Sequence, residues 1–286
     1  MELQFNLWPG GVHKALTLSY DDGQKTDIRF SRILQEHGIK ATLHLVSGLF
    51  GGPRHISAET ARKLGRAHEL SVHTCTHPWL TKLPMPLAAE EILENKRALE
   101  TLTGCPVRGM SYPYGAYNDT VVELARGCGM EYARTTGERR DFAVPDDFLR
   151  WVPTCHHRAI GTSWQDFLAQ EDDGRLQLFC MWGHSHEFER HGNWSILEDF
   201  CRVAGGRSDI WYATNIEIKD YACAVRALAV GAGGTMVYNP SGLPVWLTAD
   251  GTACRPAISC GALQPARLKY ARNTHFKPAL PEKRGT

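Results

Sequence analysis

Residues 15–23 read ALTLSYDDG. The run Ala15–Tyr20 is apolar enough for a strand covered on both faces, and it stops abruptly at two carboxylates and a glycine. Adjacent side chains on an extended backbone point to opposite sides. In a turn they diverge, so that one of Asp21 and Asp22 can bind a metal while the other stays free. Gly23 lets the chain bend sharply behind them. For the dipeptide alone, a type I turn with aspartate as turn former is the plainer alternative.

Outward from this stretch, strand-like and helix-like segments alternate. Helical periodicity runs over Thr26–His37, with Gly38 as a C-cap. Ala41–Val46 reads as a second strand and Glu69–His73 as a third, with a helix from Ser57 to Gly65 between them. Leu87–Leu102 is a long helix closed by Gly104. The expected strands Met110–Tyr112, Glu131–Thr135, Leu176–Trp182 and Ile210–Thr214 alternate with helices over Thr120–Gly127, from Thr162 or Ser163 to Gln170, over Trp194–Val203 and over Ile216–Ala229. Residues 137–153 read as irregular. Seven strands separated by helices imply parallel pairing.

The polar residues decide between a barrel and an open sheet. Asp21-Asp22, His73 and His77, Tyr114 and His184 all fall at C-terminal strand ends, the active face of an α/β barrel. An open doubly wound sheet has one switch point, whereas a barrel gathers four strand ends at one mouth. The fold expected is an α/β, irregular (β/α)7 barrel over residues 1–230. A β-rich C-terminal extension is expected over residues 231–286. Its short strands are Thr235–Tyr238, Pro244–Thr248 and Ala257–Ser259, packed on the barrel and followed by a basic, polar tail.

Four constellations carry chemistry. In Asp21-Asp22-Gly23 and His73-Thr74-Cys75-Thr76-His77, one carboxylate and two imidazoles supply three protein ligands. That number leaves places for water and substrate, as a catalytic metal site requires. In Tyr112-Pro113-Tyr114-Gly115, proline stiffens and glycine opens a turn that can present a backbone N–H. In Trp182-Gly183-His184-Ser185-His186-Glu187, Trp182 offers an apolar wall and His184 a proton donor, with His186 as a competitor for that role.

In this order, the four segments resemble the polysaccharide deacetylases of the NodB-homology type, carbohydrate esterase family 4. The family's opening motif is similar to Leu18–Gly23, and its paired histidines are matched by His73 and His77. The resemblance implies that Asp21 is the general base and that Asp22, His73 and His77 hold a divalent metal. It further implies that the Tyr114 N–H lines an oxyanion hole and that His184 is the general acid. The family's third motif commonly opens with an arginine that contacts the base, and Ser111 stands near that place here. Its fourth motif, an acidic residue with a tryptophan, has no clear counterpart. Arg150-Trp151 and His156-His157 lie in its region.

The implied activity is removal of an acetyl group from an amino sugar or glycan. Alternatives are hydrolysis or deformylation of a small non-sugar amide, and a catalytically silent carbohydrate-binding module. Zinc suits two histidines and one carboxylate, and Co, Mn, Ni or Fe fit the same donors. A net charge of +1 over 286 residues gives no basic stripe for nucleic acid. No stretch has the length of a membrane span. The nine scattered cysteines, with no Cys-x-x-Cys pair, and the lack of a visible signal peptide point to free thiols and a cytoplasmic location.

Overall fold

The computed structural model describes residues 2–254, apart from Arg140. Its strands are β1 (Leu3–Leu7), β2 (Lys14–Asp22), β3 (Thr42–Leu45), β4 (Glu69–Val72), β5 (Gly109–Ser111), β6 (Tyr132–Arg134), β7 (Cys155–His156), β8 (Gln177–Gly183) and β9 (Ile210–Tyr212). The short strands β10 (Ala229–Val230), β11 (Val237–Tyr238), β12 (Trp246–Ala249) and β13 (Thr252–Cys254) follow. The helices are α1 (Asp27–Glu36), α2 (Ala58–Leu64), α3 (Met85–Thr103), α4 (Asp119–Gly127), α5 (Ile160–Ala169), α6 (Ser185–His191), α7 (Ser195–Ala204) and α8 (Asn215–Arg226).

A parallel sheet runs in the order β6-β5-β4-β3-β2-β8-β7. It curls into an irregular seven-stranded barrel. The seam is bridged at Arg134 and Trp151, and the chain continues from there into β7, where the Thr154 N–H donates to the Cys180 carbonyl at 2.8 Å. β9 lies beside the lower half of β2 (Lys14↔Ile210), while β3 pairs with the upper half. Seven strands were expected, yet the membership differs. Cys155–His156 takes the place in the ring that Ile210–Thr214 was expected to fill. Two residues are too few to show a period, which is why β7 is invisible in the sequence.

The cap residues act locally as their chemistry dictates. Ser57 accepts from the Thr60 N–H, Asn118 from the Val121 N–H, and Gly104 closes α3 at φ 70°. Other elements were not expected either. β1 pairs antiparallel with β12 (Leu3↔Ala249), so the chain's start and its late strands share one small sheet. Trp8, Tyr221 and Val245 join that sheet's neighbourhood to the barrel in one apolar cluster. Helix α6 begins immediately after β8, where a loop was expected. The expected strand Ala257–Ser259 and the tail lie outside the described residues.

Register sets the level of the site. Asp22 pairs with Leu45 and Leu45 with Val72; Tyr20 pairs with Gly183, Ser111 with Arg134 and His156 with Trp182. Asp21, Asp22, His73, Trp182 and His184 therefore emerge at one rim.

Candidate active site

At that rim the ligand atoms of Asp22, His73 and His77 all lie within 4.8 Å of one another. Oδ1 of Asp22 is 3.7 Å from Nε2 of His73 and 3.7 Å from Nε2 of His77. Donors held about 2.0–2.2 Å from one tetrahedral zinc stand about 3.4 Å apart, so this spacing fits a single small cation. The chemistry of the donors fits too. Nδ1 of His73 lies 3.0 Å from the Ser111 carbonyl, which can only accept, so Nδ1 carries the proton and Nε2 keeps its lone pair. Burial lowers the pKa of His73, which favours the neutral imidazole a metal needs.

Helix α3 places the histidine loop. Asn95 Oδ1 accepts from the His73 N–H at 3.2 Å, and Glu91, four residues earlier on the same face, accepts from the N–H and hydroxyl of Thr76 at 2.7 and 2.6 Å. Thr74 Oγ1 accepts from the His77 N–H at 3.0 Å. Backbone strain is concentrated here. Among the described residues, six non-glycine residues have positive φ, and four of them are Asp22, Thr74, His77 and Tyr114, at φ 82°, 65°, 64° and 60°. Such conformations cost of order 1–3 kcal/mol each and persist where the surroundings over-determine them.

Asp21 is buried beside the trio. It accepts from Ser111 Oγ at 3.0 Å and from Nη2 of Arg134, whose side chain is wholly buried. Burial alone would raise the Asp21 pKa. The guanidinium of Arg134 and the nearby His73 outweigh it and hold the carboxyl well below its usual range. Arg134 also donates through Nε to Ser19 Oγ at 3.2 Å, and its guanidinium lies 5.0 Å from the Trp182 ring. Sequence reading missed Arg134. Its signal was a lone arginine inside the expected strand Glu131–Thr135, directly after Tyr132 and Ala133.

The remaining candidates lie around the same mouth. His184 precedes α6, and its Nδ1 lies 3.0 Å from Glu187 Oε1. Burial would lower the pKa of His184, but the Glu187 hydrogen bond and the charges of Asp21 and Asp22 raise it overall. His186 stands 5.2 Å away, ring to ring, and is shifted the other way by burial and by His184. Nδ1 of His186 and Nε1 of Trp182 are buried without a hydrogen-bond partner. The Tyr114 ring packs edge-on against His77 at 4.6 Å and stacks on Trp79 at 4.3 Å and 8°, both aromatics being well exposed. Gly115 is obligatory beside it, since a Cβ would meet Thr136 Oγ1 at 2.1 Å. Tyr20 and Tyr112 are buried in the core rather than on the rim surface.

The polysaccharide deacetylase family model matches residues 11–133. A peptidoglycan-N-acetylglucosamine deacetylase of Listeria monocytogenes is 30% identical over 115 residues, 39% of this chain and 24% of its own length. A chitooligosaccharide deacetylase of Sinorhizobium fredii is 28% identical over 133 residues, 45% of this chain and 60% of its own. The chain thus spans less than two thirds of these relatives' length. A solved structure from Mycobacterium smegmatis, described as a polysaccharide deacetylase, superposes with a TM-score of 0.57 at 18% identity, over 79% of this chain and 96% of that one. At that identity the likeness is one of fold. No helix among the described residues is long and apolar enough to cross a membrane.

Proposed function

We propose, from the match of residues 11–133 to the polysaccharide deacetylase family model, that this protein is a metal-dependent hydrolase that removes an acetyl group from an amino sugar or a related glycan. The observation that carries the reading is the convergence of Asp22, His73 and His77, with Asp21 on one side and His184 on the other.

Asp22, His73 and His77 would hold the cation, zinc being the ion their donors suit best. When bound, it supplies Lewis acidity toward the acyl oxygen and makes water easier to deprotonate. Asp21 takes the proton from the attacking water. Arg134 and Ser111 fix the orientation of that carboxylate and keep it ionised. The Tyr114 N–H, turned by its left-handed backbone, donates to the developing oxyanion. His184 gives its proton to the departing amine. Its raised pKa, set by Glu187, Asp21 and Asp22, suits it for that role better than His186, whose pKa is lowered.

The exposed Trp79–Tyr114 stack beside His77 supports a sugar substrate, since a pyranose ring packs well on such a face. The test is release of acetate from a panel of N-acetylated amino sugars and short glycans, set against small acetyl and formyl amides. Turnover on the sugars that disappears on chelation supports the reading. Turnover confined to the small amides would replace it with an amidase. Glycan binding without turnover would make the protein a binding module.

A further inference from the structure

A second cluster of metal-ligating side chains stands on the other side of His184. Nε2 of His156 lies 3.5 Å from Glu187 Oε2, and Nε2 of His157 lies 3.4 Å from the same oxygen. The three ligand atoms fall within 4.8 Å of one another. These separations are long for N–H···O hydrogen bonds. They match the edge of about 3.4 Å expected for donors sharing one tetrahedral zinc. The cluster is also built. His157 and Glu187 are buried. A Cβ at Gly183 would come within 2.1 Å of His157 Nδ1, so the glycine makes the room this imidazole occupies. One other cation competes there. Nη2 of Arg158 lies 2.6 Å from Glu187 Oε2, and its side chain is 60% exposed, free to leave for solvent.

We propose that His156, His157 and Glu187 form a second site for a divalent transition metal, gated by Arg158. The ion replaces the guanidinium as the counter-charge of Glu187 and joins β7 and its following turn to α6, fastening the barrel seam where β7 is only two residues long. This site does not depend on the deacetylase reading, because it shares no ligand with Asp22, His73 and His77.

The test is calorimetric titration of the full-length, metal-stripped chain with Zn2+, with thermal unfolding followed in parallel. Two classes of binding are expected, the second raising the melting temperature further as it fills. Arg158→Ala should tighten the second class about tenfold, because Glu187 loses its competing cation. His156→Gln should abolish the second class and keep the first, and His77→Ala should do the reverse. A wild type in which no binding class is lost on His156→Gln overturns the proposal, as does a second class unchanged in both Arg158→Ala and His156→Gln. Should His156→Gln not fold, Arg158→Ala and an anomalous map from a zinc-soaked crystal decide. A peak in contact with His156 and His157 sustains the site, and its absence removes it.

Discussion

Oε1 of Glu187 sits 3.0 Å from Nδ1 of His184, three residues apart, because α6 begins directly after β8. The hydrogen bond fixes the imidazole's orientation and raises its pKa against the effect of burial. A general acid must be protonated, so activity falls as pH rises through the His184 pKa. Glu187→Gln removes the largest raising contribution, and the alkaline limb of kcat/KM is expected to move to lower pH. Turnover at the optimum should fall about tenfold. An alkaline limb that stays in place in this variant would show that His184 is not the acid.

Asp21→Asn keeps the shape and burial of the side chain but removes the proton acceptor. It should retain bound metal while turnover drops on the order of 10²–10⁴-fold. Metal content and acetate release on one preparation check this. Wild-type turnover in the variant would refute the base assignment.

Much of this was legible in the sequence, and what was missed has a common cause. The strand ends at Asp21-Asp22 and His73 show because a long apolar or alternating run stops at a polar residue. Their convergence follows from parallel pairing alone. The residue that holds Asp21 did not show. Arg134 comes from β6, four places along the sheet from β2, and only the barrel's curvature brings its guanidinium across the mouth to Asp21. Ser111 stands near the place where the family's third motif commonly has an arginine, and that serine contacts Asp21 as well. Helix α6 was hidden because Ser185–His191 carries two histidines and two glutamates, which read as site chemistry before they read as helix. With the helix unseen, Glu187 had no reason to face back toward His184.

The Arg134–Asp21 pair yields a stability prediction. Arg134→Met leaves the Asp21 carboxylate buried without its counter-charge, which costs about 3–5 kcal/mol. Urea unfolding should show that loss, and the double variant Asp21→Asn/Arg134→Met should be more stable than Arg134→Met alone. Simple additivity of the two changes would mean the pair is not coupled.

Asp27, at the start of α1, is buried against Ser185, and its pKa is pushed up to about 7, mainly by burial and secondarily by Asp22. The folded state therefore holds a proton that the unfolded chain, with an aspartate pKa of about 3.9, releases earlier. Stability contributed by this group is full below about pH 4 and is lost as pH rises toward about 7, at up to ~1.4 kcal/mol per unit. Asp27→Asn, uncharged throughout, should not show this decline. Unfolding of metal-free wild type and variant between pH 4 and 8 tests the difference, and parallel stability curves would contradict it.

The account rests most heavily on the cation shared by β2 and the loop after β4. Its sharpest measurement is the metal content of the purified chain against Asp22→Ala, His73→Ala and His77→Ala, each checked for intact secondary structure. Each of the three variants is predicted to carry one tightly bound divalent ion per chain fewer than the wild type and to lose acetate release with it. Folded variants that keep the ion at wild-type occupancy would contradict it.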